Sequence, residues 1–336
     1  MTSLLTVILN WRTPDMTIRA AEAALVALDG IAGALVIVDN DSGDGSFERM
    51  TQDVAARGWN TGPQSVRVVQ SGRNGGFGAG NNVGIRAGLA NGARPDFVYI
   101  LNSDAFPEPG AIVALLDHLQ SHPQTGFAGS FIQGQDGQPH RTAFRFPSIL
   151  GEFESQVRFG PISRLLHRHI VARPIPQFSC RVDWLAGASL MMRQSVLDQI
   201  GLFDEQFFLY FEETDLCRRA ANTGWPTDYV VQSRVVHIGS VSTGMKGWPR
   251  IPGFWLDSRL HYFVKNHGRL YAAGATIAHI AGGVMWRARL LVQRKDRGDP
   301  PQYLRDMAWH GLRAATVGMA DKTAPPGSTT TARTPR

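Results

Sequence analysis

The sequence predicts an α/β fold, a Rossmann-like and mostly parallel sheet flanked by helices, with a helical extension at the C-terminal end. The first half alternates short β-branched runs with amphipathic helical stretches, the pattern of parallel strands joined by crossover helices. The last third carries two helical stretches and little else that is regular. With 336 residues, 43% of them hydrophobic, the chain can bury a sizeable core in one large α/β domain, or in one domain with a helical appendage.

Five segments read as strands: residues 5–9, 34–38, 66–69, 97–101 and 127–129. Between the first two, Thr13 can cap a helix whose first turn holds Pro14 and Asp15, with Ile18, Ala21, Leu25 and Leu28 on one face and Gly30 at its end. After the fourth strand, Ile112, Leu115, Leu116 and Leu119 make an apolar stripe that His122 and Pro123 stop. From 131 to 179 the periodicity weakens into a segment rich in Gly, Gln, Pro and Phe, which predicts loops and short pieces of the kind that cover substrates. Order returns with a strand at 182–192, a short helix at 194–200, a helix at 212–222 closed by Gly224, and a strand at 229–236 ending at His237. Helices are expected at 255–266 and 270–293, and the Pro/Thr/Ser/Gly composition after Asp321 is that of a disordered tail.

The balance of 34 Lys+Arg against 28 Asp+Glu gives +6, with the arginines crowded into the last third. Excess base on one segment suits polyanions or anionic headgroups, but no basic run is interleaved with aromatics, so a nucleic-acid partner is not expected. Cys180 and Cys217 lie in no paired ligand spacing, and Met1-Thr2-Ser3 leads into a strand without a basic region or cleavage site. Both observations suit the cytoplasm. Residues 270–286 lack charge apart from His279, yet are rich in Ala and Gly and short for a bilayer span, so a packed or interfacial helix is expected. Arg287, Arg289, Arg294, Lys295 and Arg297 follow it and suit anionic headgroups, which predicts peripheral contact with the inner face of the cell membrane.

Acidic and amide side chains gather where open α/β sheets bind ligands, at the carboxyl ends of strands. Asp39 can accept from a base N–H or a ribose hydroxyl, or, with Asp41, only build the turn. The glycine-rich run from Arg73 to Asn82 follows a strand and opens a helix, so its N–H groups can face a diphosphate. The dinucleotide fingerprint fails there on spacing, because Asn81 and Val83 stand where its third glycine would be needed. Asn102-Ser103-Asp104 ends an apolar strand, where a carboxylate can bind a hard cation bridging two phosphates or form an ordinary turn. Glu212, Glu213 and Asp215 open a helix whose dipole favours negative charge, so part of this cluster is capping. One of the three can accept the proton of an attacking hydroxyl; helical spacing puts Glu212 and Asp215 on one face and Glu213 on another, so the acids divide their roles. A neutral His237 can complete the metal site begun by Asp104, or be structural.

In their order along one chain, Val7-Ile8-Leu9-Asn10-Trp11, Val38-Asp39-Asn40-Asp41-Ser42, the run Asn74 to Asn82, Leu101-Asn102-Ser103-Asp104, Asp183-Trp184-Leu185-Ala186-Gly187-Ala188 and Phe211-Glu212-Glu213-Thr214-Asp215-Leu216 resemble glycosyltransferase family 2. The likeness spans about residues 4 to 265 and is strongest to rhamnosyltransferase-like and galactofuranosyltransferase-like members. It implies a GT-A fold, a nucleoside-diphosphate sugar donor, a divalent Mg2+ or Mn2+, inversion by direct displacement, and a glycan or lipid-linked acceptor; rhamnose is the sugar the likeness suggests. By the same resemblance Asp39 is the nucleoside-binding acid, with Asn10, Asn74, Gly76, Phe77, Asn81, Asn102 and Ser103 on the donor side. Asp104 matches the metal-binding last residue of the Asp-x-Asp motif, and Asn102 replaces its first Asp, which leaves one fewer charged ligand. His237 resembles the downstream metal-ligand histidine, Trp184 the aromatic floor of the acceptor pocket, with Gly187 beside it. Glu213 stands where the family has the Asp base of a Glu-Asp pair; the longer side chain keeps the chemistry and leaves Glu212 as the alternative, with Asp215 completing the acidic set.

The expected organisation is a GT-A domain over 1–253, its nucleotide-sugar half ending near 130, then a helical extension over 254–320 and a disordered tail over 321–336. Two rivals are a nucleotidyltransferase, which would carry a glycine-rich loop with a basic residue after the first strand where Asn10-Trp11-Arg12-Thr13-Pro14 stands, and a non-catalytic carbohydrate- or nucleotide-binding protein of the same fold, which would lack the acids or Asp104.

Overall fold

A computed structural model describes residues 2–62, 64–239, 249–295 and 299–317. The chain opens with β1 (Ser3–Asn10), α1 (Pro14–Ala27), β2 (Ala32–Asp39), α2 (Ser46–Ala56), β3 (Val66–Gln70), α3 (Gly76–Ala87) and β4 (Phe97–Asn102). There follow β5 (Ala105–Pro107), α4 (Ala111–Ser121), β6 (Phe127–Gln133), β7 (Ala143–Phe144), α5 (Ile149–Val157) and α6 (Gly160–Leu165). Next come β8 (Cys180–Val182), β9 (Trp184–Leu185), β10 (Ser189–Arg193), α7 (Gln194–Ile200), α8 (Glu212–Asn222) and β11 (Thr227–His237). The C-terminal part is α9 (Gly253–His267), α10 (Arg269–Gln293) and α11 (Tyr303–Val317).

A nine-stranded sheet runs in the order β3-β2-β1-β4-β10-β6-β11-β5, with β8 paired to β11. The strands β1 to β4, β6 and β11 share one direction; β10, β5 and β8 oppose it. The apolar runs of the first half alternate faces. Ile8, Leu35, Ile37, Tyr99 and Leu101 enter one core with α1, α2 and α4, and Val7, Val36, Val38, Val98 and Ile100 enter another with residues of α3, α7 and α8. With both faces covered, the strands have to be apolar on consecutive positions, which is why they read as short continuous runs. The chain leaves β1 for β2 and β3 on one side and returns to β4 on the other, so the carboxyl ends of β1 and β4 border the crevice where such sheets take ligands.

Three expectations change. The single strand predicted at 182–192 is β8, β9 and β10: β9 pairs with β7, whereas β10 crosses into the main sheet between β4 and β6, and the chain turns at Gly187. Two consecutive apolar strands have one composition, so the break between them carries little signal. The segment 131–179 holds α5 and α6 as well as loops. A third C-terminal helix, α11, follows the two predicted ones. The tail 321–336, the last residues of the extension (318–320) and Arg297 lie outside the described residues.

The helical extension docks on α5. Gly282 lets α10 approach so closely that a Cβ there would stand 2.6 Å from the Phe153 carbonyl oxygen. Inside the contact, Arg259 of α9, 2% exposed, donates to Glu152 of α5 at 2.8 and 3.1 Å and to Thr276 of α10. His279 of α10 bridges Glu152 and the Tyr303 hydroxyl of α11. Burial would raise the Glu152 carboxyl, but the charge of Arg259 and the bond from His279 outweigh it and hold the group at about 2.

Removing one partner of a buried ion pair strands the other, so Arg259→Ala should cost ~3–5 kcal/mol in urea denaturation. A carboxyl depressed on folding stabilises above its unfolded value and loses that contribution as pH falls towards its folded value. Stability should therefore drop between the ordinary value of 4.5 and about 2, and Glu152→Gln should flatten that part of the profile measured by denaturation against pH.

Candidate active site

Asp104 and His237 meet because the short strand β5 pairs antiparallel with the end of β11, with Ala105 opposite His237. His237 Nε2 lies 3.0 Å from Asp104 Oδ1, and the Gly239 N–H donates to Asp104 Oδ2 at 3.1 Å. Burial opposes ionisation of Asp104, yet the hydrogen bond and charge of His237 and the backbone N–H groups leave it below its ordinary value. Asn102 Nδ2 sits 3.4 Å from His237 Nε2, and Asn102 Oδ1 is buried without a partner. One carboxylate, one imidazole and an unpartnered amide oxygen fit a small divalent cation that takes its remaining ligands from phosphates. Among the described residues no group of three or more His, Cys, Asp or Glu could hold an ion. Ser103, also buried, lies with its Oγ 3.4 Å from Thr13 Oγ1, beside the end of β1.

Asp39 stands at the tip of β2, 1% exposed. Its Oδ1 accepts from Asn10 Nδ2 at 2.7 Å and from Ser42 Oγ at 2.6 Å, and its Oδ2 accepts the Ser42 N–H at 3.2 Å. Asn10 Oδ1 in turn takes Thr17 Oγ1 and the Thr13 N–H. Asp39 thus builds the turn after β2 and ties it to β1, so a nucleoside reaching it meets a carboxylate already held in place. The role as turn-builder weighed from the sequence is realised here.

The glycine-rich run does not cradle an anion with its first N–H groups. Those of Gly75, Gly76 and Phe77 donate to Arg73 O, Asn74 Oδ1 and Phe208 O. The glycines serve packing instead: a Cβ on Gly76 would lie 1.8 Å from Phe208 O, one on Gly80 would strike Leu9, and one on Gly84 would strike Val7. Asn74 Oδ1 also accepts from Asn40, and Asn81 Nδ2 reaches back to Phe77 O while its Oδ1 is buried and unpartnered. Sequence reasoning passed over Asn82, whose amide clasps both the N–H and the carbonyl of Phe203 and reaches Glu205. That clasp fixes the loop before α8 onto α3; only the adjacent pair Asn81-Asn82 hinted at it.

The acids of α8 separate. Asp215, fully buried, accepts from Arg219 at 2.9 Å, Lys265 at 2.7 Å and Asn266 at 3.1 Å, a joint between α8 and α9. Glu212 is 2% exposed, and Glu212 Oε2 and Glu213 Oε2 are both buried with no partner. Burial, then the neighbouring Glu213 charge, lifts the Glu212 carboxyl well above its ordinary value. Burial also raises Glu213, opposed by its own backbone N–H and that of Gly187. Just before them Tyr210 and Phe211 hold φ of 69° and 70°, left-handed values that non-glycine residues adopt at a cost. Gly187 brings the chain against Phe77 and Glu213: a Cβ there would be 3.1 Å from the Phe77 ring and 3.9 Å from Glu213 Oε1. Trp184 stacks on Phe144 at 4.2 Å and donates its indole N–H to Arg145 O.

Residues 4–246 match the family model described as glycosyltransferase like family 2. The chain belongs to that family, and it is a glycosyltransferase. It is 30% identical over 260 residues, 73% of this chain and 79% of the other, to a protein of Mycobacterium tuberculosis named N-acetylglucosaminyl-diphospho-decaprenol L-rhamnosyltransferase. Staphylococcus aureus TarS residues 1–349, solved with UDP-GlcNAc, shares the fold at TM-score 0.55 and 14% identity, covering 94% of this chain and 81% of that one. The mannosyltransferase PcManGT of Pyrobaculum calidifontis, solved with GDP-Man and Mn2+, matches at TM-score 0.51 and 12% identity over 95% and 87% of the two chains. The sheet is therefore that of a GT-A fold, and the nucleotidyltransferase alternative falls away.

In this glycosyltransferase Asn10, Asp39, Asn102, Ser103 and Asp104 stand at or just beyond the carboxyl ends of β1, β2 and β4, and Phe77, Gly187 and Glu213 come together beside α8. Gly76 joins the two, since its φ of 89° and its contact with Phe208 set the loop that delivers α8. Gly76→Ala should lower stability by at least ~1–3 kcal/mol and weaken nucleotide binding, read by denaturation and calorimetry. Parent-like values in both would show that the contact bears no weight.

Proposed function

We propose that this glycosyltransferase is a metal-dependent, inverting enzyme that moves a sugar, with L-rhamnose the first candidate, from a nucleoside diphosphate to a hydroxyl of a lipid-diphosphate-linked glycan. The observation that carries the reading is the pairing of Asp104 with His237 at one strand tip and, at the start of α8, two neighbouring glutamates whose Oε2 atoms are buried with no partner. The name of the Mycobacterium tuberculosis relative supports the choice of sugar and acceptor.

Asp104 and His237, with Asn102 beside them, are the residues that would hold a Mg2+ or Mn2+ ion, which when bound offsets the charge of the departing diphosphate. Asp39 and Asn10 hold the nucleoside side of the cleft, and Trp184 and Gly187 border the acceptor. Glu213 accepts the proton of the acceptor hydroxyl as the oxygen attacks the anomeric carbon from the face opposite the leaving diphosphate, which inverts the configuration. A carboxyl raised by burial is a better proton acceptor than an exposed one. Glu212 retains its own proton beside Glu213, so a single negative charge occupies the pair. Asp215 serves the joint with α9.

The test is a panel of nucleoside-diphosphate sugars, with release of nucleoside diphosphate followed with Mn2+ or Mg2+ and then in excess chelator. Turnover that persists undiminished in chelator overturns the metal dependence. Glu213→Gln should lower kcat by ~10²–10⁴-fold with donor affinity nearly unchanged, because the amide keeps the shape and loses the basicity. If that variant turns over like the parent while Glu212→Gln is dead, the base is Glu212.

Membrane contact belongs to the same proposal. No helix among the described residues is long and apolar enough to cross a membrane. Leu270, Ile277, Val284, Leu291 and Val292 nevertheless lie exposed along α10, with Arg269, Arg294 and Lys295 exposed at its two ends. Arg287, assigned to headgroups from the sequence, pairs instead with Asp299, and Arg289 donates to Arg158 O. The protein should co-sediment with anionic vesicles at low salt, at about 1 kcal/mol per basic residue, and Ile277→Asp with Leu291→Asp should release it. Equal sedimentation of parent and variant would remove α10 from the contact.

A further inference from the structure

Arg218 lies on α8 five residues beyond Glu213, which is ~7.5 Å of helix rise. Its guanidinium sits over the Phe146 ring at 5.1 Å, and no described carboxylate pairs with it. Arg218 Nε is buried without a partner. On α9 two more polar atoms share that condition, the Tyr262 hydroxyl and His267 Nε2. The three groups are neighbours: the charge of Arg218 acts on both Tyr262 and His267, its guanidinium reaches the Tyr262 hydroxyl, the charge of Asp215 also acts on Tyr262, and the Tyr262 and His267 rings stand 6.4 Å apart. Tyr271 stacks on His267 at 4.2 Å and closes the cluster.

A cation that no described carboxylate pairs, beside a buried imidazole nitrogen with no partner and a hydroxyl still able to donate, is costly to keep out of water unless something fills the place. Arg, His and Tyr together present donors and no fixed acceptor charge, the composition that binds phosphate. The place is continuous with the acceptor side of the cleft. Residue 187 lies at Glu213, Leu185 lies at Cys217, and Trp184 stacks on Phe144, two residues from Phe146. The chain from 187 back to 184 thus runs alongside α8 from the proposed base to Arg218.

We propose that Arg218, Tyr262 and His267 form a second anion site, separate from the donor site at Asp104, that binds the phosphate or diphosphate of the acceptor while its sugar hydroxyl lies at Glu213. The identity of the anion as part of an acceptor rests on the reaction proposed above; the existence of the site does not. The Arg218 guanidinium supplies the charge and a planar fork, His267 and Tyr262 each supply one donor, and the rings of Phe146 and Tyr271 wall the place.

The probe is inorganic pyrophosphate, titrated calorimetrically into the full chain in excess chelator with nucleoside diphosphate present, so that neither a metal nor the nucleotide site can account for binding. The expected result is saturable binding that Arg218→Met weakens by ~10-fold or more, the worth of one charge-assisted contact set, that Arg218→Lys restores in part, and that His267→Gln weakens less. Unchanged thermal unfolding and unchanged nucleotide affinity in these variants establish that they fold. Pyrophosphate that does not bind, that nucleoside diphosphate displaces, or that binds Arg218→Met as it binds the parent overturns the site. Because the titration needs no turnover, its outcome is independent of the chelator and Glu213 experiments. If both the site and the transfer reaction stand, Arg218→Met should raise KM for a phosphate-bearing acceptor and leave donor KM unchanged; an equal rise in both overturns the acceptor assignment.

Discussion

Three residues of antiparallel pairing, Ala105–Pro107 of β5 against the end of β11, hold Asp104 and His237, the proposed metal side of the site, together. Asp104 and His237 are 133 positions apart in the chain, and without that ladder nothing local would bring a carboxylate oxygen within 3.0 Å of an imidazole nitrogen. The backbone reinforces it, since the Ile238 N–H donates to the Asp104 carbonyl and the Gly239 N–H to its carboxylate. β5 can be this short because β11 is eleven residues long and anchored along β6, so the edge strand adds to a ladder already formed.

A second constraint ties the two sides of the cleft. Helix α3 packs into β1 and β2 closely enough that Gly80 and Gly84 tolerate no Cβ, and its N-terminal end is plugged by the Phe208 carbonyl. The Asn82 clasp on Phe203 holds the same loop from the other side. The loop then turns through two left-handed residues into α8, whose first residues are Glu212 and Glu213. The position of the acids is thereby set by the helix that lies against the donor strands, and the strain at Tyr210 and Phe211 persists because contacts on both sides over-determine it.

Much of this was legible in the chain, and what was not has a physical reason. The parallel strands showed themselves because burial on both faces forces continuous apolar runs, and α1 and α4 because one buried face imposes a helical period. Asp39, Asp104, Glu213 and His237 stood out because polar residues at the ends of apolar strands or at the start of a helix are conspicuous. The glycine-rich run misled in a definable way: glycines permit both anion contact and close packing, and only the partners of Gly75, Gly76 and Phe77 show that the N–H groups are taken. The split of 182–192 into three strands, the strand β5 and the Asn82 clasp depend on long-range pairing that leaves no periodic trace. Arg218 was invisible for the same reason, since an arginine beside Arg219 looks like any solvated helix face until its neighbour is found bonded to the 200–202 carbonyls and it is not.

The three acids of α8 show how identical chemistry is divided by its surroundings. Asp215 has an arginine, a lysine and an amide on its oxygens, so it holds two helices together. Glu212, buried, and Glu213, half-buried, are the first two residues of the same helix, and each keeps a buried oxygen with no partner. Desolvation raises both carboxyls, and their proximity means that placing the first negative charge disfavours the second. Each also takes two backbone N–H groups, Glu212 its own and that of Tyr210, Glu213 its own and that of Gly187, and the Glu213 charge adds to burial at Glu212, which is raised the further of the two. Glu213 presents an oxygen towards the turn between β9 and β10, where a Cβ on Gly187 would stand 3.9 Å from its Oε1. That turn exists because β10 leaves β9 to enter the main sheet, so the same change of partner that hid the strand break from the sequence also brings Gly187 against Phe77 and Glu213.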